Sequence, residues 1–235
     1  MKLLAFETST EACSVALYLD GEVRERYELA PRRHAELALP FADALLAEAG
    51  VARAQLDAIA VGRGPGAFTG VRLAIALAQG VALALDRPVV PVSTLAVLAA
   101  GAPREGAARI LAAIDARMGE VYVGAFGREG ADVLVPLAPE RVLAPEAFEL
   151  AEDGEAWQGV GTGFAAGDGV LARRLEGRLQ AVDAAALPRA ADLARLAAAA
   201  FARGEAVAPE RAEPAYLRDN VALTLVEQQA LRAAK

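Results

Sequence analysis

The residues with the most chemical capacity lie in three short stretches. Glu7-Thr8-Ser9-Thr10-Glu11 follows the apolar run Lys2 to Phe6, and Asp115-Ala116-Arg117-Met118-Gly119-Glu120 follows the run Arg109 to Ile114. Between them, Gly62-Arg63-Gly64-Pro65-Gly66-Ala67 fits G-x-G-x-x-A. Hydroxyls, carboxylates and glycines just after a strand are the materials of phosphate and metal sites. Each stretch also has a plainer use. No Lys follows the glycines, which excludes a P-loop, and Asp86 precedes the next strand where a ribose ligand would end it. A structural turn is the better reading of Gly62 to Ala67. The first hairpin carries two acids and no glycine, and would repel a triphosphate unless a metal intervened. The second has one glycine and one useful cation. Asp115 is either a metal-tethering carboxylate or a turn acceptor, and Asp is common in turns. Gly161 and Gly163, at a strand-to-helix junction, leave room for a base or serve tight packing. Glu7, Thr8, Asp115, Arg117, Gly161 and Gly163 thus offer weak nucleotide binding at most. Efficient ATP hydrolysis is not supported.

Hydrolytic chemistry fares worse. The chain has one His, His34, and one Cys, Cys13. A metalloprotease helix needs two His one turn apart. Ser9, Ser14 and Ser93 lack a nucleophile-elbow setting. Cys13 alternates onto a strand face with Val15 and Leu17, which makes it a small core residue. We expect no catalytic residue, no metal and no cofactor.

These stretches must be held by elements. Apolar runs predict strands at Lys2–Phe6, Ala12–Leu19, Glu22–Leu29, Ala58–Val61 and Pro88–Val92, with a hairpin turn at Asp20-Gly21. The third, charged at alternate positions, belongs near a sheet edge. Leu37, Phe41 and Leu45 recur at helical spacing in a helix from Ala35 to Ala49, stopped by Gly50 and either kinked at Pro40 or begun there. Thr69 is placed to cap the helix Gly70–Leu85. Ser93 caps a short helix to Gly101. After a linker at 102–106 the pattern restarts. Strands are expected at Arg109–Ile114, Val121–Phe126, Val133–Leu137, Trp157–Val160 and Leu179–Val182. Helices are expected at Pro145–Ala151, Gly161–Leu175, Ala190–Ala202 and Leu225–Ala234. The order β-β-β-α-β-α therefore occurs twice, in units 1–101 and 102–235, each opening with a strand that ends in a carboxylate. Two such halves make an α/β protein on the actin-like ATPase plan, with the second half reduced.

The helix at 70–85 stands out. Only Arg72 and Gln79 in it are strongly polar. Ala74, Ala78 and Ala82 form one ridge of small residues, and Ala76, Gly80 and Ala84 a second. Arg72, Ala76, Gln79 and Leu83 share a face. A helix apolar all round is buried by its own fold or by a partner, and Arg72 and Gln79 make it a poor membrane span.

Composition sets the remaining bounds. The 235 residues include 24 basic and 31 acidic side chains, a net charge of -7. A chain that grips nucleic acid alone usually shows a basic face. One cysteine excludes a disulfide framework. Met1-Lys2 leads straight into a strand without a cleavage pattern, so a cytoplasmic protein is expected.

Four segments carry a resemblance, in order from Lys2 to Asp219. KLLAFETSTEACSVAL, GRGPGAFTGVRLAIALAQGVALAL, IDARMGEVY and PAYLRD resemble the TsaB family of tRNA threonylcarbamoyladenosine biosynthesis proteins, in the YeaZ and glycoprotease-like group. The resemblance implies an actin-like fold and a part in placing a threonylcarbamoyl group on the adenosine beside the tRNA anticodon. It implies a non-catalytic subunit that pairs with the transferase paralogue TsaD, with the ATPase TsaE as a third component and tRNA met only through the complex. The family's helix pair, here 34–49 and 70–85, serves self-dimerisation or pairing with TsaD. Partner contacts are therefore expected from His34, Leu37, Phe41, Leu45, Arg72, Ala76, Gln79, Gly80 and Leu83. The family's first strand more commonly ends in Asp. Glu7, one methylene longer, is expected to push its carboxylate outward. A stand-alone ATPase or metal-dependent hydrolase is the rival reading.

Overall fold

The computed structural model describes residues 1–129, 133–150 and 154–218. The helix expected at Leu225–Ala234 lies outside them.

The first half is built on a five-stranded sheet. Strands β1 (Lys2–Glu7), β2 (Ala12–Leu19) and β3 (Glu22–Leu29) form an antiparallel meander. β4 (Ala58–Gly62) and β5 (Val89–Val92) add in parallel, giving the order β3-β2-β1-β4-β5. The charged β3 lies at an edge, and Asp20 and Gly21 take the positive φ values that a tight hairpin needs. Alternation splits the side chains of each strand. Leu4, Phe6, Cys13, Val15 and Leu17 pack against α1 (His34–Ala49) and α2 (Phe68–Leu85), while Leu3, Ala5 and Ala16 pack against α5 (Ala190–Ala202). α1 runs unbroken from His34 to Ala49 through Pro40, which lies on its exposed side. Gly50, left-handed at φ 64°, ends the helix.

α2 begins at Phe68, two residues before its expected start, and Thr69 does not cap it. The turn is held from outside instead: the Ala67 N–H donates to the Ser9 carbonyl at 2.7 Å. Ser93 does cap α3 (Thr94–Ala100), accepting from the N–H groups of Leu95 and Ala96.

The second sheet has the order β11-β10-β6-β7-β8. β6 (Arg109–Arg117), β7 (Glu120–Arg128) and β8 (Leu134–Pro136) form its antiparallel part, and β10 (Trp157–Val160) and β11 (Leu179–Asp183) its parallel part. The strict repeat of element order fails at one place. Instead of a helix at Pro145–Ala151, β9 (Arg141–Leu143) pairs with β7 and only a single 3-10 turn, Pro145–Ala147, follows. Phe148 and Leu150, two residues apart, are both buried, which is the spacing of extended chain. The expected helix from Gly161 to Leu175 is likewise divided. A 3-10 turn, Thr162–Phe164, precedes α4 (Ala166–Arg174), whose start contains Gly167, Asp168 and Gly169 at positive φ.

The last helix of each run crosses over. α3 packs on β6 and β7, and α5 packs on β1, β2 and β5. The N-terminus of α5 is closed by the first half: Ser14 Oγ accepts from the Ala190 N–H at 2.8 Å, and Glu25 Oε1 from the Ala191 N–H at 3.0 Å. The result is an actin-like α/β fold with two sheets and a cleft between their hairpins.

Candidate functional site

The cleft encloses about 950 Å³ and is lined by both hairpins, the first turns of α1 and α2, and the C-terminal stretch Pro214–Arg218. Its floor is closed by direct contact between the first hairpin and the glycine turn. A Cβ on Gly62 would stand 1.9 Å from Glu7 Oε2, one on Gly66 2.4 Å from the Ser9 carbonyl oxygen, and one on Gly70 2.0 Å from that of Thr8. These glycines are there for close backbone approach. These contacts account for the glycines of the turn between β4 and α2.

Glu7 corrects the expectation of an outward carboxylate. The space left by Gly62 receives the longer side chain, which turns inward and is 1% exposed. Its Oε1 accepts the Ser9 N–H at 2.7 Å, and its Oε2 accepts the Thr94 hydroxyl at 3.3 Å. The Thr94 hydroxyl in turn accepts the Gly64 N–H at 3.1 Å. Burial pushes the Glu7 carboxyl above the usual carboxylate range, against the lowering effect of the hydrogen bonds from Ser9 and Thr94. Thr8 is fully buried, and its hydroxyl donates to the Gly70 carbonyl at 2.7 Å. Both residues fasten β1, the glycine turn and α3 together.

In the second hairpin Asp115 Oδ1 accepts the Arg117 N–H at 2.8 Å, and Oδ2 pairs with the Arg117 guanidinium at 2.7 Å. That is the turn-acceptor role. It holds Arg117, Met118 and Gly119 in their left-handed conformations. Arg117 also reaches Glu11 Oε1 at 3.5 Å across the cleft. Gly161 and Gly163 leave no vacant space: an added Cβ would lie 2.2 Å from the Ala113 carbonyl oxygen and 2.7 Å from the Ala113 Cβ, respectively. Among the described residues, no three His, Cys, Asp or Glu side chains are grouped to hold a metal ion.

His34 and Cys13 are neighbours without forming a nucleophile pair. The ring Nε2 of His34 lies 3.0 Å from the Thr10 carbonyl, and the Cys13 Sγ lies 3.9 Å from the His34 carbonyl. Burial, with a smaller contribution from Glu28, pushes the Cys13 thiol up to about 11, so it stays protonated near neutrality.

The other candidate region is the outer side of α1 and α2. Ala74, Ala78 and Ala82 are fully buried against the sheet, whereas Ala76, Gly80 and Ala84 are exposed and Leu83 is 63% exposed. Leu37 and Phe41 are half-buried, and Leu45 is in the core. α2 is long and apolar enough to cross a membrane, with a mean hydropathy of 1.7, yet only 33% of it is buried in the chain. Its two polar residues have an unforeseen role: both hold the chain's own tail. Gln79 Nε2 donates to the carbonyls of Pro209 and Ala212, and the Arg72 guanidinium donates to the Tyr216 hydroxyl while lying 3.5 Å above the Phe68 ring. The PAYLRD segment was the only sequence signal for this contact. Arg218 docks the tail, bonding the Ala116 carbonyl at 3.1 Å and pairing with Glu120.

Comparison with known proteins bears on both regions. A family profile described as "TsaD: tRNA N6-adenosine threonylcarbamoyltransferase" matches residues 27–225. The tRNA threonylcarbamoyladenosine biosynthesis protein TsaB of Escherichia coli strain K12 is 44% identical over 225 residues, covering 94% of this chain and 96% of that protein. The chain belongs to the TsaB family. The TsaB protein of Haemophilus influenzae is 40% identical, covering 94% of this chain and 95% of its own length. A solved structure titled "YeaZ from Pseudomonas aeruginosa" superimposes with a TM-score of 0.85 at 51% identity, covering 92% of this chain and 99% of that one. Membership of the TsaB family thus comes with a cleft whose hairpins are occupied by internal contacts and an apolar helix left open.

Proposed function

We propose that the chain is a non-catalytic accessory subunit in tRNA threonylcarbamoyladenosine biosynthesis. It binds and supports the TsaD paralogue, which carries out threonylcarbamoyl transfer to the adenosine beside the anticodon, with TsaE as a further component. One observation carries this reading: α2 is apolar along its length, and two thirds of it is not buried by its own chain. The exposed ridge of Ala76, Gly80 and Ala84 offers a surface on which a second helix comes close without steric conflict. In the absence of TsaD the same surface pairs with itself as an isologous homodimer. The contacts are Phe41 and Leu37 from α1, with His34 at its start, and Ala76, Gly80 and Leu83 from α2, with Arg72 and Gln79 beside them. Leu45 supports this surface from the core. The cleft supports the non-catalytic part of the reading, since Glu7, Thr8, Asp115 and Arg117 are engaged in holding the two hairpins.

Light scattering on a sizing column tests this, with the chain alone and then mixed with the TsaD paralogue of the same cell. A homodimer that gives way to a heterodimer is expected. A monomer that ignores the paralogue would refute the reading, as would sustained ATP turnover by the chain alone.

A further inference from the structure

The last described stretch, Pro209–Arg218, passes from one half of the molecule to the other and is anchored throughout. On α2, Gln79 Nε2 donates to the Pro209 carbonyl at 3.0 Å and the Ala212 carbonyl at 3.2 Å. Ala212 itself is buried in the core beneath α1 and α2. The Ala215 N–H donates to the Arg63 carbonyl on the glycine turn at 2.8 Å. Arg72 donates to the Tyr216 hydroxyl through Nη2 at 2.9 Å and Nε at 3.2 Å. The final anchor lies across the cleft. Arg218 donates to the Ala116 carbonyl, pairs with Glu120, and sets its Nη1 3.7 Å from the Met118 Sδ. Three anchors are thus in the first half and one in the second.

Two of these anchors, Arg72 and Gln79, stand on the side of α2 that also carries Ala76, Gly80 and Leu83. A protein seated there would press on the residues that hold the strap. The far end of the strap grips a hairpin whose tip is under conformational stress, since Arg117 and Met118 are both non-glycine residues at positive φ, 61° and 58°. Besides the strap, a longer contact bridges the two hairpins there, from Arg117 to Glu11 at 3.5 Å.

We propose that Pro209–Arg218 is a tie that couples the outer face of α2 to the β6–β7 hairpin, so that a protein bound on α2 steadies the hairpin and fixes the opening of the cleft. This inference rests on the docking of the TsaD paralogue on α2. The coupling is reciprocal: loosening the hairpin end weakens binding on α2, although Arg218 is not itself on that face.

Hydrogen exchange tests the tie, using the full-length chain as wild type and as Arg218→Ala, each alone and with saturating TsaD paralogue. In the isolated chain, Arg218→Ala is expected to speed exchange at amides 115–120 by about tenfold or more, the factor for losing hydrogen bonds made by a charged group. Core amides of β1 and β4 should stay as slow as in wild type, which reports an intact fold. Bound paralogue is expected to slow amides 115–120 in wild type and to leave them fast in Arg218→Ala, while protecting α2 in both. Protection of α2 without any change at 115–120 in wild type would overturn the tie and leave the docking reading standing. Hairpin protection that survives in Arg218→Ala would overturn the tie in the same way. No protection of α2 at all would overturn the docking reading, and the coupling with it. Tyr216→Phe, which removes only a hydroxyl, should give a smaller acceleration in the same amides.

Discussion

The two small-residue ridges of α2 are alike in sequence and opposite in use. Ala74, Ala78 and Ala82 lie at zero exposure against the sheet, where the missing bulk lets the helix sit close to Phe6 and Val61 in one core cluster. Ala76, Gly80 and Ala84, half a turn away, face solvent. Nothing within 4 Å would obstruct a side chain added at Gly80. Smallness on the inner ridge is explained by the fold itself. On the outer ridge the fold supplies no reason for it, and the proposed docking of a second helix would. The same residue types therefore form a packed core on one side of the helix and, on the other, the exposed ridge for which a docking role is proposed.

Charge placed on each ridge separates the two roles. Ala78→Glu is expected to have the largest effect, a loss on the order of 3–5 kcal/mol of stability, because the carboxylate would be buried without a partner. A urea denaturation midpoint measures it. Gly80→Glu should leave the monomer folded, since Gly-to-Glu in a helix gains roughly 0.5–1 kcal/mol of propensity. Pairing, read by light scattering, should nevertheless be lost. Equal stability losses for the two variants would erase the distinction between the ridges.

The carboxylates of the two hairpins differ just as plainly. Glu7 is held inside, whereas Asp115 works within an exposed turn. Because burial raises the folded-state pKa of Glu7, the folded chain holds that proton more tightly than the unfolded chain does. Its contribution to stability is complete below the ordinary value of 4.5 and is lost as pH rises through the raised value. Glu7→Gln carries no such titration, so the stability of wild type relative to Glu7→Gln should fall with rising pH. A difference that is flat or grows with pH would show the carboxylate to be favoured in place. The smallest effect concerns Cys13. With its thiol pushed up to about 11, alkylation of the native chain should be slow at mildly alkaline pH and become fast on denaturation.

Much of this was legible in the sequence, for reasons visible in particular residues. Alternation in Cys13, Val15 and Leu17, charge on β3, the Asp20-Gly21 turn and the Ser93 cap are all local signals, and each has its effect within a few residues. Long-range solutions were not legible. The inward turn of Glu7 depends on a vacancy at Gly62, 55 positions later by number. The engagement of Arg72 and Gln79 depends on a tail more than a hundred positions away. The missing helix after Pro145 is a local failure of a different kind. Phe148 and Leu150 fit an extended segment as well as a helix, and after the 3-10 turn at Pro145–Ala147 Phe148 takes the extended form.

Everything proposed for this chain depends on the outer ridge of α2 being a surface for another protein. Calorimetric titration of the TsaD paralogue into wild type and Gly80→Glu, both shown to be folded, measures that dependence. Saturable binding by wild type is expected, and no binding by Gly80→Glu. Wild-type affinity in the folded Gly80→Glu chain would contradict a docking role for the ridge.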